Sequence, residues 1–282
     1  MSDPTTNAAP PEPDDPALLH EETDGGSPDD APRRRGKRER AKQFTRSFAQ
    51  RVVYDAMKLL IRVIAGGLFQ FRVFGADRTP QGIPVIICCN HQSSIDPTLV
   101  AAAIPRRLSF LARKELFARF ATRKFVEFFD AIPLDRTGFS REGLTAAIDR
   151  LKQGRAVLIF PEGSRTPDGT MQPFRSGFLL LARRSRASLL PVAIAGTYQM
   201  WPRQRRLPWP TTTHLVVGEP IPYEVYSGWK EEKALAELQR QMQALFDEAT
   251  ASRRRALGFD DDDLAADAEG ASTEEPSAER RT

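Results

Sequence analysis

Short apolar runs alternate with helical patterns through most of the chain, and this alternation constrains the fold more than any other feature. Runs typical of buried strands occupy residues 83–89, 130–134, 155–160, 188–195 and 213–218. Helical patterns occupy residues 96–103, 113–129, 140–153, 174–186 and 229–253. Strands that alternate with helices of these lengths form a largely parallel sheet flanked by helices. The sequence therefore predicts an α/β domain, in which ligands bind beyond the carboxyl ends of the strands.

A long amphipathic helix is predicted over residues 44–71, before the alternating pattern begins. Its polar stripe recurs at helical spacing and consists of Arg51, Asp55, Lys58 and Arg62. Apolar residues fill the remaining face, and a basic run at residues 33–40 lies upstream. This combination predicts an interfacial helix that lies on anionic lipid, although it also suits a helix packed on its own domain. The charges argue against a spanning helix, which needs about 20 nearly uncharged residues.

Charge is distributed very unevenly along the chain, whose formal net charge is +4. Residues 1–30 carry −9 and residues 256–282 carry −7, which leaves +20 on residues 31–255. We predict a disordered tail over residues 1–43, acidic and then basic, a domain over residues 44–255, and a disordered acidic tail over residues 256–282. A domain this basic is attracted to anionic surfaces. Because no nucleic-acid motif is visible, we do not expect a nucleic-acid partner.

A histidine and an acid stand five residues apart at the end of the first apolar run, in the segment NHQSSID (residues 90–96). His91 lies in the predicted turn, and Asp96 lies in the first turn of the next helix. Such a turn brings the pair together, so that the carboxylate holds one ring nitrogen and the other nitrogen accepts a proton from a hydroxyl. Because the chain lacks a GxSxG nucleophile elbow, the attacking hydroxyl would belong to the substrate. A purely structural histidine is the alternative.

Other polar residues also follow predicted strands. The segment FPEGSRT (residues 160–166) offers a flexible glycine, hydroxyls and a guanidinium, which suit a phosphate cradle. Its Glu162 and Arg165 can instead form an ion pair that braces the loop.

Three further residues lie at predicted strand ends or within a strand. Arg136 either faces the same pocket or pairs with a nearby acid, and Lys114 lies where it can face that pocket. Pro191 interrupts an apolar strand and therefore indicates an edge strand or a bulge.

Together these segments resemble the glycerolipid acyltransferase family. NHQSSID matches that family's NHx₄D motif, and FPEGSRT matches its second signature. The order and separation of the two motifs are also similar, as are RKEL, PLDR and LPVAIAG, so the resemblance covers about residues 84–196. The chain is most similar to 1-acylglycerol-3-phosphate acyltransferases of the bacterial PlsC type.

The resemblance implies a role for each matched residue. His91 would be the general base, and Asp96 would orient it and stabilise its charge. The acceptor's glycerol phosphate would be bound by Glu162, Gly163, Ser164 and Arg165, with help from Arg136 and Lys114. Pro191 matches a motif that is linked to the acyl donor side.

The resemblance also implies the reaction and its setting. A fatty acyl group would pass from acyl-CoA or acyl carrier protein, without a cofactor or metal, to 1-acyl-glycerol-3-phosphate, and phosphatidate would be the product. The enzyme would be peripheral or monotopic at an anionic membrane surface, on the cytoplasmic face. Related alternatives act on glycerol-3-phosphate or on another lysolipid acceptor. A more remote alternative is a non-catalytic basic membrane-binding protein.

Overall fold

The structure is a computed structural model that describes residues 48–118, 123, 130–134 and 141–259. Contacts divide the chain into residues 1–51 and residues 52–282, and the fold given below is that of the second unit. The predicted tail over residues 1–43 lies outside the described residues, as do residues 260–282 of the second predicted tail.

The described residues contain seven strands that form one sheet in the order β1-β7-β6-β2-β5-β3-β4. Their bounds are β1 Arg72–Phe74, β2 Val85–Cys89, β3 Leu108–Arg113, β4 Ile132–Leu134, β5 Ala156–Ile159, β6 Ser188–Ala195 and β7 His214–Val217. Strands β6, β2, β5, β3 and β4 are mutually parallel, whereas β7 runs antiparallel to β6 and parallel to β1. The prediction of a largely parallel sheet is confirmed.

Helices precede, connect and follow the strands. Their bounds are α1 Phe48–Phe69, α2 Asp96–Ala103, α3 Glu115–Ala118, α4 Arg141–Lys152, α5 Gly177–Ser185, α6 Thr197–Met200, α7 Tyr223–Tyr226 and α8 Glu231–Ala256. The helix predicted over residues 113–129 begins too early, because residues up to Arg113 belong to β3. Much of the remainder of that pattern lies outside the described residues.

Side-chain alternation along β2 creates two apolar layers. Val85, Ile87 and Cys89 belong to the cluster that includes residues of α1 and α2. Ile86 and Cys88 belong to the cluster formed with α4, α5 and α8. Because successive strand residues point to opposite faces, a strand covered on both sides must be apolar throughout. This requirement explains why the run at residues 83–89 contains no polar side chain.

Pro191 lies in β6, between β2 and β7, so of the two predicted alternatives, an edge strand or a bulge, the edge strand is wrong. Its carbonyl accepts a hydrogen bond from Gly218 N at 2.9 Å, and a proline nitrogen on that same side has no hydrogen to donate. Regular pairing with β7 stops at Val192 and resumes only at an isolated bridge between Leu189 and Ile221. The proline therefore occupies a break in the ladder, where the chain opposite carries one extra residue.

Helix α1 turns part of its polar stripe toward the protein. Lys58 Nζ donates to the carbonyl of Ile104, and Arg62 Nη2 donates to Ala103 O at 3.1 Å. These carbonyls end α2, where the helix dipole favours positive charge. Burial, with repulsion from Arg62, lowers the pKa of Lys58 to about 8.

The apolar side of α1 is consequently exposed to solvent. The exposed apolar residues are Val52, Val53, Met57, Leu59, Leu60, Val63, Ile64 and Leu68. No helix within the described ranges is both long enough and apolar enough to cross a membrane.

A buried arginine joins the segments that enter three neighbouring strands. Arg106, at 8% exposure, precedes β3 and donates to the carbonyls of Pro80, Ile83 and Gly154. Ile83 lies just before β2, and Gly154 lies just before β5. One guanidinium therefore satisfies three carbonyls at the amino edge of the sheet.

We expect Arg106→Met to lower the free energy of unfolding by about 3 kcal/mol, because three partly buried carbonyls lose a charged donor. Urea denaturation followed by circular dichroism measures this change. Arg184→Met is the matched control, because Arg184 is exposed on α5. Equal effects of the two substitutions would contradict the role assigned to Arg106.

Candidate active site

The predicted site residues converge where β2 and β5 end. These two strands are adjacent and parallel, so the segments that follow them meet at one edge of the sheet. His91 follows β2 and Phe160 follows β5, and their rings stack with centroids 3.9 Å apart and an interplanar angle of 19°. The site therefore occupies the carboxyl edge, as expected for an open parallel sheet.

Asp96 organises the turn that carries His91. Its carboxylate is fully buried at the first residue of α2. The Oδ2 atom lies 2.9 Å from His91 Nδ1 and accepts hydrogen bonds of 2.7 Å from the backbone N–H groups of Gln92 and Ser93. One carboxylate oxygen thus holds both the imidazole and the backbone of the turn.

This arrangement selects the imidazole tautomer. A carboxylate oxygen accepts hydrogen bonds, so His91 Nδ1 carries the proton that points to Asp96. The other nitrogen, Nε2, then has a free lone pair and no hydrogen-bond partner among the described residues. The His91 side chain is 17% exposed, which leaves it accessible from outside. The ring is therefore prepared to accept a proton from a bound hydroxyl.

Side chains on either side of His91 fix the turn to neighbouring elements. Asn90 Nδ2 donates to Ile194 O at 2.9 Å, and Asn90 Oδ1 accepts from Ile194 N at 2.8 Å, so this amide extends the pairing of β2 with β6. Gln92 Nε2 donates to Gly169 O at 2.8 Å, and Ser93 Oγ donates to Trp201 O at 2.8 Å. These bonds attach the turn to three other segments of the chain.

Glu162 supports the backbone of this turn. Its carboxylate accepts from His91 N at 2.8 Å and from Gln172 N at 3.1 Å, and the residue is only 3% exposed. The contacts of this carboxylate are thus with the backbone of the turn and of the segment at Gln172. Burial raises the pKa of Glu162 to about 7, while the two backbone N–H groups act in the opposite direction. Asp96 nearby adds a smaller upward contribution.

The remainder of the second signature lies beside the turn and runs from exposed Gly163 to buried Thr166. Gly163 has a φ of +75°, and a Cβ there would meet the Arg175 side chain at 3.0 Å. Ser164 is exposed, and Arg165 Nη1 donates to Ser94 Oγ at 2.7 Å. Thr166 closes the loop, because its N–H donates to His91 O at 2.8 Å. The loop that carries Ser164 and Arg165 is thus bonded directly to the turn of His91.

The chain is similar to known proteins over the segment that contains both motifs. The profile of the Acyltransferase family matches residues 70–195, which include both motifs. A 1-acyl-sn-glycerol-3-phosphate acyltransferase from Pseudomonas aeruginosa is 32% identical over 203 residues, which span 68% of this chain and 72% of that protein. The chain belongs to the Acyltransferase family. It is therefore an enzyme that transfers acyl groups.

Other proteins similar to this acyltransferase are also named as acyltransferases that act on 1-acyl-glycerophosphate. The 1-acyl-sn-glycerol-3-phosphate acyltransferase of Bacillus subtilis is 29% identical over 168 residues, covering 59% of this chain and 79% of that protein. The crystal structure of the 1-acyl-sn-glycerophosphate (LPA) acyltransferase PlsC from Thermotoga maritima superimposes with a TM-score of 0.62 at 25% identity. The superposition covers 75% of this chain and 87% of that one.

The other predicted site residues have different positions. Lys114 is exposed and directly follows β3, so it shares the carboxyl edge with His91. Pro191 is buried within the sheet, and its ring carbon would lie 3.1 Å from a Cβ added at Gly218. Arg136 lies outside the described residues. The roles assigned to these three residues stay predictions.

Sequence reasoning missed the contributions of Arg175, Ser94 and Gln172. Arg175 packs against Gly163, and its N–H donates to Pro161 O at 2.9 Å. The sequence did not predict this contact, because the segment that contains Arg175 lies beyond the second signature and has no motif of its own. Within the described ranges, no cluster of three or more His, Cys, Asp or Glu side chains has the geometry of a metal site.

Glu162→Gln tests the support beneath His91. Folded Glu162 has a pKa of about 7 against an ordinary 4.5, so the folded state retains a proton that the unfolded chain releases between these values. Stability from this group is therefore present at low pH and is lost as pH rises to about 7. The quantity to measure is the difference in melting temperature, wild type minus Glu162→Gln. We expect this difference to decrease as the pH is raised from about 5 to about 8.

The control is Glu248→Gln, at an exposed position on α8. The same pH dependence in both variants would show that the effect does not arise from the buried carboxyl group.

Proposed function

We propose that this acyltransferase moves a fatty acyl group from a thioester donor to the free hydroxyl of 1-acyl-glycerol-3-phosphate, which yields phosphatidate. The observation that carries the proposal is the His91 ring, held at Nδ1 by a buried carboxylate 2.9 Å away. Its Nε2 is directed to no group among the described residues and is available to a substrate hydroxyl. The names of the relatives from Pseudomonas and Bacillus support this acceptor.

His91 acts as the general base of the reaction. Nε2 takes the hydroxyl proton while the acceptor oxygen attacks the thioester carbonyl, and Asp96 stabilises the positive charge that forms on the ring. The attack forms the ester C–O bond and gives a tetrahedral intermediate, whose collapse restores the carbonyl and breaks the C–S bond. The departing thiolate then takes the proton from Nε2 and leaves as a thiol. Protein atoms form no covalent intermediate, and no cofactor takes part.

Phosphate recognition belongs to the loop that follows β5. Ser164 supplies a hydroxyl, and Arg165 and Arg175 supply guanidinium groups that bind phosphate oxygens in a planar, bidentate manner. Glu162 contributes indirectly, because its carboxylate faces the backbone beneath His91 rather than the ligand. The basic surface suits either acyl-CoA or acyl carrier protein as the donor. Glycerol-3-phosphate and other lysolipids are the alternative acceptors.

The exposed apolar side of α1 supports docking on a membrane surface. Leu59 and Val63 are 63% and 64% exposed, although they are large apolar side chains. A bilayer boundary removes such surface from water, and the excess positive charge of residues 31–255 attracts anionic lipid. We therefore assign the enzyme to the cytoplasmic face of the cell membrane, as a peripheral or monotopic protein.

His91→Asn tests the catalytic base. Asparagine keeps a donor for Asp96 but has no basic nitrogen, so we expect kcat/KM for transfer from radiolabelled oleoyl-CoA to 1-acyl-glycerol-3-phosphate to fall by about 10²–10⁴-fold. The matched control is His214→Asn, which replaces a buried histidine whose Nδ1 contacts Ser252 Oγ at 3.0 Å. Circular dichroism verifies the fold of both variants. Full activity of folded His91→Asn would refute the mechanism.

The acceptor is identified by a panel assay with glycerol-3-phosphate, lysophosphatidylcholine and a lyso-aminolipid, each with acyl-CoA and with acyl carrier protein. Preference for an acceptor without a phosphomonoester would exclude phosphatidate synthesis while leaving the acyltransferase assignment intact.

Leu59→Glu/Val63→Glu tests membrane docking. We expect about a 10-fold or larger loss of binding to vesicles that contain phosphatidylglycerol, because charge cannot enter the apolar boundary. Co-sedimentation measures the binding. The control, Ala236→Glu/Ala244→Glu, adds the same charge at exposed positions on α8. Equal losses would mean that net charge, rather than the face of α1, determines binding.

A further inference from the structure

A proline-flanked loop holds two large apolar side chains in solvent. This segment, residues 201–210, is named the tryptophan loop and connects α6 to the strand β7. Leu207 is 74% exposed and Trp209 is 68% exposed, the two highest values among the exposed large hydrophobic side chains described. Pro208 and Pro210 flank Trp209 and restrict the backbone on both sides. Two such neighbours form a patch rather than an isolated exposed residue.

Hydrogen bonds within the loop and to the end of α6 give the tryptophan loop a defined shape. Trp201 Nε1 donates to Arg205 O at 2.9 Å, and Arg205 Nη1 donates to Gln199 O at 3.0 Å. Trp209 N donates to Met200 O at 2.8 Å. These bonds hold the loop backbone while the Leu207 and Trp209 side chains project outward. Their exposure is therefore a feature of the folded loop.

Positive charge surrounds the apolar tip without any acid nearby in the sequence. Arg203, Arg205 and Arg206 are exposed, and residues 169–218 contain neither Asp nor Glu. Arg203 and Arg206 form no hydrogen bond or ion pair with the part of the chain that the structure describes. Apolar side chains surrounded by free guanidinium groups complement an anionic lipid interface, where Trp occupies the headgroup level.

The base of the loop adjoins both α1 and the catalytic turn. Trp201 packs in the same apolar cluster as Ala65 of α1. Thr212, just beyond the loop, donates from Oγ1 to Gln70 Oε1 at 2.8 Å, directly after α1 ends. Trp201 O accepts the 2.8 Å hydrogen bond from Ser93 Oγ, two residues from His91. A displacement of the loop on binding to a surface would therefore be transmitted, through this hydrogen bond, to the turn that holds the base.

We propose that the tryptophan loop is a second membrane-binding element, separate from α1. Leu207 and Trp209 enter the boundary between headgroups and acyl chains of an anionic phospholipid bilayer, and Arg203 and Arg206 contact lipid phosphates. The loop thereby fixes the orientation of the catalytic turn at the surface where a lipid acceptor resides. This inference rests on the proposed function for the identity of the acceptor, but vesicle binding by the loop is measurable without turnover.

The first experiment compares full-length wild type with Leu207→Ser/Trp209→Ser in co-sedimentation with phosphatidylcholine–phosphatidylglycerol vesicles. We expect the lipid concentration for half-maximal binding to rise about 10-fold. Leu180→Ser/Val225→Ser is the matched control, because these side chains are 50% and 49% exposed on α5 and α7. Wild-type vesicle binding by the loop variant would overturn the proposal.

The second experiment separates membrane binding from chemistry. Acyl transfer is assayed with vesicle-embedded acceptor and with a short-chain, water-soluble acceptor. We expect the loop variant to lose activity only on vesicles, and equal loss in both assays would overturn the proposal. A wild type that binds vesicles through the loop but transfers no acyl group would contradict the proposed function alone.

The arginines supply a third comparison. Arg203→Gln/Arg206→Gln is expected to weaken binding to anionic vesicles at low salt but not to pure phosphatidylcholine vesicles. The control is Arg141→Gln/Arg184→Gln, at exposed positions on α4 and α5. Equal weakening by both pairs would refute a specific role for the loop. A change in sedimentation velocity of Leu207→Ser/Trp209→Ser without a change in vesicle binding would instead identify a self-association surface.

Discussion

A single buried oxygen atom, Oδ2 of Asp96, gathers three N–H groups, and the active-site edge depends on this interaction. Two of them come from the backbone of Gln92 and Ser93, and the third is on the His91 ring. The same contacts therefore end β2, begin α2 and orient the imidazole. Asp96 is fully buried, so water cannot take the place of these donors. The carboxylate therefore fixes the geometry of the base before any substrate binds.

The two edges of the sheet satisfy their polar groups in different ways. At the amino edge, the buried guanidinium of Arg106 binds three carbonyls and closes the entry of the strands. At the carboxyl edge, Asn90 and Glu162 bind backbone groups of neighbouring segments with uncharged or negatively charged atoms. The guanidinium of Arg165 lies outside these supports. It donates instead to Ser94 Oγ, at the surface of the same edge.

The two elements proposed to contact lipid, α1 and the tryptophan loop, both form hydrogen bonds to the segment that begins at the catalytic turn and continues as α2. Lys58 and Arg62 direct their charge to the end of α2, and the apolar side of α1 is left in solvent. The tryptophan loop begins at Trp201, which contacts Ser93 within the catalytic turn. An enzyme whose acceptor is a lipid gains from this proximity, because the acceptor hydroxyl need not leave the interface to reach the base.

The sequence by itself determined the strands β2, β4, β5, β6 and β7, the parallel character of the sheet and the His91–Asp96 pair, whereas it did not predict β1 or β3. These features are local: a strand buried on both faces must be apolar, and a turn of five residues brings its own ends together. The tertiary structure alone decided the strand order, the interior position of Pro191 and the direction in which Glu162 points. It also decided that α1 exposes its apolar side. Each of these depends on contacts between residues far apart in the chain, such as the 71 positions that separate His91 from Glu162, and no local pattern specifies such contacts.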